Sequence, residues 1–438
     1  MGGKRKTRAR TATELSKETD RPHRFKKTLS ILLPIVAIAI LGVAAYFVFS
    51  PSPSIISSYV PSAQNNPSDT SQPIKFTRKA KTLDNLLAMN AEQLAGVDIA
   101  EMNLLCATGL PGGEKIDIDH CLATLDRWTQ RVKFETERHL YRVHDPKWAD
   151  SYRHSEAYLR ASFLLQTLQE DLGVKYDMTA KDNFKFDDSR VAFIHGMIPA
   201  ANQNIGDTPG GTCTSMPVMY VAVGRRLGYP LKLVLTDSHI FVRWDGKNHS
   251  HPAWRERFNI EGTNGFSSYE DNYYTTWPRK LTETQVRENR YLLSLSPPEE
   301  LAQFLASRGH CGVDNKQLAF AARCYENAYR QDSSRPSYQN WFLDTAMKSG
   351  YRPVTPTLAR LLSHRMRLAT ARRSSADPVM SMPKPSETVV DMRGILGAPY
   401  AHEGQWHTIP QTPDMPIGHT PQPQSNTLIT GNVRPSPR

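Results

Sequence analysis

"GDTPGGTCTSMPVMYVAVGRRLGYP", residues 206–230, carries one cysteine out of a glycine-rich turn into a long apolar run. Arg225 and Arg226 stand in the last turn of that run, and Gly228 and Pro230 stop it, so the spacing predicts a helix over roughly 214–227. The helix is apolar nearly all round, which places it inside a domain. A cysteine there packs as a small hydrophobe or acts as a nucleophile, and the rest of the chain bears on the choice.

Downstream, "LKLVLT" (231–236), "HIFVRW" (239–244) and "FNIEGT" (258–263) are short β-type runs. Helix followed by three strands predicts an α+β domain with an antiparallel sheet. Alternation in the second run sets Ile240, Val242 and Trp244 on one face and His239, Phe241 and Arg243 on the other. Pairing the second and third runs antiparallel brings His239 and Glu261 to the same side of the sheet, offset diagonally by one pair. The chemistry this permits is nucleophilic. A thiol attacks as its thiolate, a helix start and an imidazole both favour that form, and a carboxylate holds the imidazole tautomer. Gly210 and Gly211 are expected to allow a tight turn and a close approach of substrate, with free N–H groups at the helix start as oxyanion donors. Cys213, His239 and Glu261 are therefore the candidate catalytic residues.

These same segments, "GGTCTSMPVMYVAVGRRLGYPLKLV", "HIFVRW" and "FNIEGT", resemble the bacterial transglutaminase-like superfamily, in the variant with a helical lead-in and a tetratricopeptide-like segment after the core. The resemblance is specific over about 210–263 and extends over about 102–336. It implies a papain-like Cys-His-acid site in which Cys213 matches the nucleophile, His239 the strand histidine and Glu261 the acid. The departure is that the acid is usually aspartate; Asp237 and Asp245 are the alternative orienters, and Asn202, Gln203 and Asn204 candidate oxyanion donors.

The chain has 438 residues and a net charge of +11, enough length for two or three structured regions. The charge is local, since residues 1–27 hold ten Lys/Arg against three acidic residues, and no nucleic-acid partner is expected. "LSILLPIVAIAILGVAAYFVF", 29–49, is free of charge over 21 positions, the length of a membrane span. With no Lys or Arg from Ser50 to Ile74, the positive-inside rule puts the N-terminus in the cytoplasm and the main domain outside it. The expected order is a basic cytoplasmic arm (1–28), a transmembrane helix (29–49), a flexible stalk (50–81), a helical lead-in (82–190), the transglutaminase-like core (191–297), a tetratricopeptide-like helical segment (298–373) and a disordered tail (374–438). In that segment Leu305, Gly309, Ala321, Tyr325 and Ala328 hold the large and small packing positions of a helical hairpin, a surface expected to recruit a protein partner.

Five cysteines outside the cytoplasm suggest two local disulfides, Cys106 with Cys121 and Cys311 with Cys324, leaving Cys213 alone; buried free thiols are the competing expectation. A zinc site from Cys213, His239, His249 and His251 lacks any CxxC or HxxxH spacing, and no phosphate-cradling glycine motif occurs, so neither metal nor cofactor is expected. Two functions remain: a membrane-anchored extracytoplasmic thiol enzyme that cleaves peptide or amide bonds through a thioester, hydrolysis favoured over cross-linking, or a non-catalytic anchored module that binds a protein or envelope component.

Overall fold

The three longest described helices ahead of the glycine turn are capped. The side chains of Asp98, Asp117 and Ser155 accept the backbone N–H groups of Ala100, His120 and Tyr158, starting α1 (Ile99–Ala107), α2 (Ile118–His139) and α3 (Glu156–Gln166). The computed structural model describes residues 78–374 apart from 183 and 264. The expected arm, membrane helix, most of the stalk and nearly all of the tail lie outside the described residues. No helix among the described residues is long and apolar enough to cross a membrane.

The chain then forms α4 (Met216–Arg226), in which every residue but Arg225 is buried. The helix begins two residues later than the periodicity suggests. The turn before it is nevertheless helix-like, because the Thr212 carbonyl accepts from both Ser215 and Met216 N–H. Gly224 lets the sheet come close, as a Cβ there would sit 2.3 Å from Leu231. The two arginines that close the helix do more than face its dipole. Arg225 pairs with buried Glu300 at 3.0 Å, and buried Arg226 pairs with Asp98 and, at 3.0 Å, with Asp126. One helix end is thus tied to the segments on either side in sequence.

The sheet has three antiparallel strands in the order β1 (Leu231–Thr236), β2 (His239–Asp245), β3 (Arg257–Ile260). Its register pairs Thr236 with His239 and Val242 with Ile260. The predicted alternation holds, since Ile240, Val242 and Trp244 enter the main core while Phe241 joins a second cluster with Val234 and Tyr274. The third run ends as a strand at Ile260; Glu261 instead pairs with Ser267 in a separate bridge.

After two short helical segments, Asp271–Tyr274 and Glu283–Glu288, four longer helices follow: α5 (Pro297–Asp314), α6 (Leu318–Gln331), α7 (Pro336–Ser349) and α8 (Pro356–Ser374). The predicted small-to-large contact is made, because a Cβ on Gly309 would lie 2.4 Å from the Tyr325 ring. The whole is α+β, mostly helical, and buried residues from the lead-in, the sheet region and the last helices belong to one hydrophobic core.

Of the two cysteine expectations, the disulfides are corrected and the buried free thiols hold. All five are buried thiols, none disulfide-bonded. Cys324 of α6 has both Cys311, its expected partner, and Cys106 near it, with Arg308 beside them, whereas Cys106 is not brought to Cys121. Burial pushes the thiols of Cys106 and Cys121 up to about 12 and that of Cys324 to about 11, so all three stay protonated at neutral pH.

Candidate functional site

Three turns of chain bring Cys213, His239 and Glu261 together. Thr212 and Ser215 make the first: the Ser215 hydroxyl accepts the Thr212 N–H at 3.0 Å, and the Thr212 hydroxyl accepts the Thr214 N–H at 3.2 Å. Cys213 rides between them, just ahead of α4. Gly210 and Gly211 serve packing, which corrects the expected opening for substrate. A Cβ on Gly210 would sit 2.7 Å from the Lys175 carbonyl, and one on Gly211 would overlap the Met197 sulfur at 2.3 Å. Gly210 also holds φ +109°, a conformation L side chains rarely adopt.

The second is the two-residue turn Asp237–Ser238 between β1 and β2, which delivers His239 at the first position of β2. The third follows β3. Glu261 is fixed at one oxygen by the N–H groups of Gly262 (3.2 Å) and Thr263 (3.3 Å) and by the Thr263 hydroxyl (2.9 Å). Its other oxygen accepts from His239 Nε2 at 2.7 Å. With Nε2 committed, Nδ1 is the ring nitrogen left for the thiol, and His239 is also hydrogen-bonded to Cys213. All three residues are buried, with 8% of Cys213, 5% of His239 and 8% of Glu261 exposed.

Burial alone would make the imidazole a weaker base. The Glu261 carboxylate, together with the contact to Cys213, outweighs it and raises His239 from its ordinary 6.5 to about 10. Glu261 moves the opposite way: burial penalises its charge, yet the imidazolium and the Thr263 donors hold its carboxyl below the usual value. Both shifts describe one ion pair, Glu261 carboxylate with His239 imidazolium, beside the Cys213 sulfur.

The alternative orienters are elsewhere. Asp237 pairs with Arg279, and Asp245 accepts the Ser294 hydroxyl at 2.7 Å. Asn204 and Gln203 are exposed and bond within their own loop, to Asp207 and Ala200. His249 and His251 pack on Trp254 rather than near Cys213, and no group of three metal-ligating side chains occurs among the described residues.

Several positioning residues were not legible in the sequence. Tyr220 of α4 and Gln169 both bond the Gly262 carbonyl, at 2.8 and 2.7 Å, and so locate the turn that carries Glu261. Gly262 has no room for a side chain, since a Cβ would sit 2.5 Å from the Tyr220 ring. Trp277 stands edge-on to His239 at 4.9 Å between ring centres, and Tyr274 stacks on Phe241 at 3.7 Å. Fully buried Arg243 bonds its cross-strand partner Asn259 at 2.7 Å, and Asn259 bonds Asp271 at 2.8 Å, locking β2 to β3 and to the segment beyond. Only the regular spacing of "HIFVRW" pointed at that face.

Cys213 and His239 open into a cavity of about 500 Å³, within the range of small-ligand and short-peptide sites. Residues of α5, α7 and α8 also line it.

No protein-family model, curated protein or solved structure matches this chain.

Proposed function

We propose that this chain is a membrane-anchored, extracytoplasmic thiol enzyme of transglutaminase-like type that opens peptide or amide bonds through Cys213. The observation that supports it is the buried Cys213–His239–Glu261 array, with Glu261 2.7 Å from His239 Nε2 and every other bond of the carboxylate made by its own turn. An imidazolium beside a sulfur favours the thiolate. The Cys213 sulfur adds to the amide carbonyl carbon, and the carbonyl oxygen becomes an oxyanion. The Cys213 N–H, which bonds no other described residue, is placed at the start of a helical turn where such an oxyanion would be received. His239 gives its proton to the departing amine, leaving a thioester on Cys213. Water then adds with neutral His239 as base, releasing the carboxylic acid and restoring the ion pair. Hydrolysis is favoured over transfer to a second amine because water needs no binding site of its own. The anchor and its orientation rest on residues 29–49 and their flanking charges.

The test is alkylation of the purified chain by iodoacetamide across pH 5–9. Rapid labelling of Cys213 at the acid end of that range, slowed about tenfold or more in His239→Ala, supports the reading. Labelling that follows the profile of an ordinary thiol and ignores His239 overturns it, as does full complementation of a deletion phenotype by Cys213→Ala.

A further inference from the structure

Faces of two helices, with Arg365 of α8, line the cavity that opens on Cys213. From α5 come Gln303, Ser307 and His310, at i, i+4 and i+7; from α7 come Ser337, Asn340, Trp341 and Asp344, at i, i+3, i+4 and i+7. Both spacings describe a single helix face. These are mainly neutral hydrogen-bonding groups with capacity to spare. The Trp341 indole N–H is buried and has no partner among the described residues. Ser307, 2% exposed, makes no side-chain hydrogen bond to a described residue. Gln303 is engaged only at its oxygen, by Tyr338 at 3.5 Å. His310 bonds the Tyr325 hydroxyl through Nδ1 at 2.6 Å, and burial among aromatic rings keeps the imidazole neutral. Aromatic surface alternates with these groups: Trp341 meets His310 edge-on at 4.6 Å, and Phe186 meets His310 at 5.1 Å.

Unmatched neutral donors and acceptors in a buried wall call for a ligand with neutral donors and acceptors. Groups four residues apart on a helix stand about 6 Å apart along its axis. Groups on one edge of an extended polypeptide recur every two residues, about 6.6 Å. The match is close enough for one chain to lie along one helix face, its alternate side chains reaching the aromatic surface. Of the charged residues that line the cavity, Asp344 pairs with Lys348 at 2.8 Å, Arg335 with Asp332 at 3.4 Å and Asp237 with Arg279, while Arg365 of α8 makes no ion pair among the described residues.

From this geometry we infer that α5 and α7 are the substrate wall of the Cys213 cleft and bind an uncharged, extended segment of polypeptide, so that the helical segment after the sheet selects the substrate of the site. The inference rests on the proposed thiol chemistry only for its use, and its test separates the two. The full chain is alkylated at Cys213 with iodoacetamide and, separately, with iodoacetyl-tetra-alanine amide, and the ratio of the two second-order rate constants is read. A ratio of about ten or more in the parent is expected, falling about fivefold in Trp341→Phe, which deletes the N–H and keeps a ring, and similarly in Ser307→Val. A ratio near one in the parent, or one unchanged in both variants, overturns the inference. Protection of Cys213 by a chitooligosaccharide and not by acetyl-tetra-alanine amide overturns the polypeptide class. Should iodoacetamide fail to label Cys213, the thiol chemistry falls alone; binding of acetyl-tetra-alanine amide, read by tryptophan fluorescence of the full-length Cys213→Ala chain, then supports the wall if it saturates and overturns it if it does not.

Discussion

At the residue scale the decisive contact is between Glu261 and His239. Glutamate, one methylene longer than aspartate, reaches His239 Nε2 at 2.7 Å while its second oxygen is held by Gly262 and Thr263. Folding raises the proton affinity of His239, so the stabilisation it contributes is complete below its ordinary value near 6.5 and is lost as pH climbs through about 10. Glu261, held below its ordinary value, contributes stability that is lost on acidification. Glu261→Gln removes the carboxylate and leaves the burial. The His239 imidazole, followed by its ring nitrogen shifts in NMR, is expected to remain protonated at pH 8 in the parent and to be neutral there in the variant. The same variant should slow iodoacetamide labelling of Cys213 at pH 6 by about tenfold or more. Cys213, His239 and Glu261 were all legible, because residue type and strand alternation put them on converging positions. Tyr220 and Gln169 were not, since each acts through a backbone carbonyl and leaves no pattern.

At the element scale, two glycines set how closely helices and turns approach. Gly309 admits the Tyr325 ring into the α5–α6 contact, and Gly262 admits the Tyr220 ring against the acid-bearing turn. Alanine at either site overpacks a filled interior, a cost of about 1–3 kcal/mol. Thermal unfolding should show comparable losses for the two variants, while only Gly262→Ala should also slow Cys213 alkylation, because it displaces Glu261. The helical character of the lead-in, the helix α4 and the three strands were foreseen from periodicity; α1 was not singled out. The start of α4 and the end of β3 were not, because the Thr212 turn and the Glu261–Ser267 bridge depend on bonds that composition does not express.

At the scale of the whole molecule, burial governs the thiols. All five are free and buried, and only Cys213 lines the cavity. Intact-mass analysis after iodoacetamide treatment of the native chain should show one adduct, rising to five after unfolding, and a reductant should leave the melting temperature unchanged. A disulfide in the native chain would appear as fewer than five sites without reduction. Burial shields the other four from oxidants. What the sequence by itself determined is local: the apolar helix behind Cys213, the alternation that turns His239 and Phe241 to one face, and the hairpin packing of Gly309 on Tyr325. Those follow from short-range periodicity and stereochemistry. The tertiary structure decided which cysteines neighbour one another, which acid serves His239, and that the polar faces of α5 and α7 wall the same cavity as Cys213. These depend on contacts between segments distant in sequence, formed because all of them bury apolar surface in one shared core.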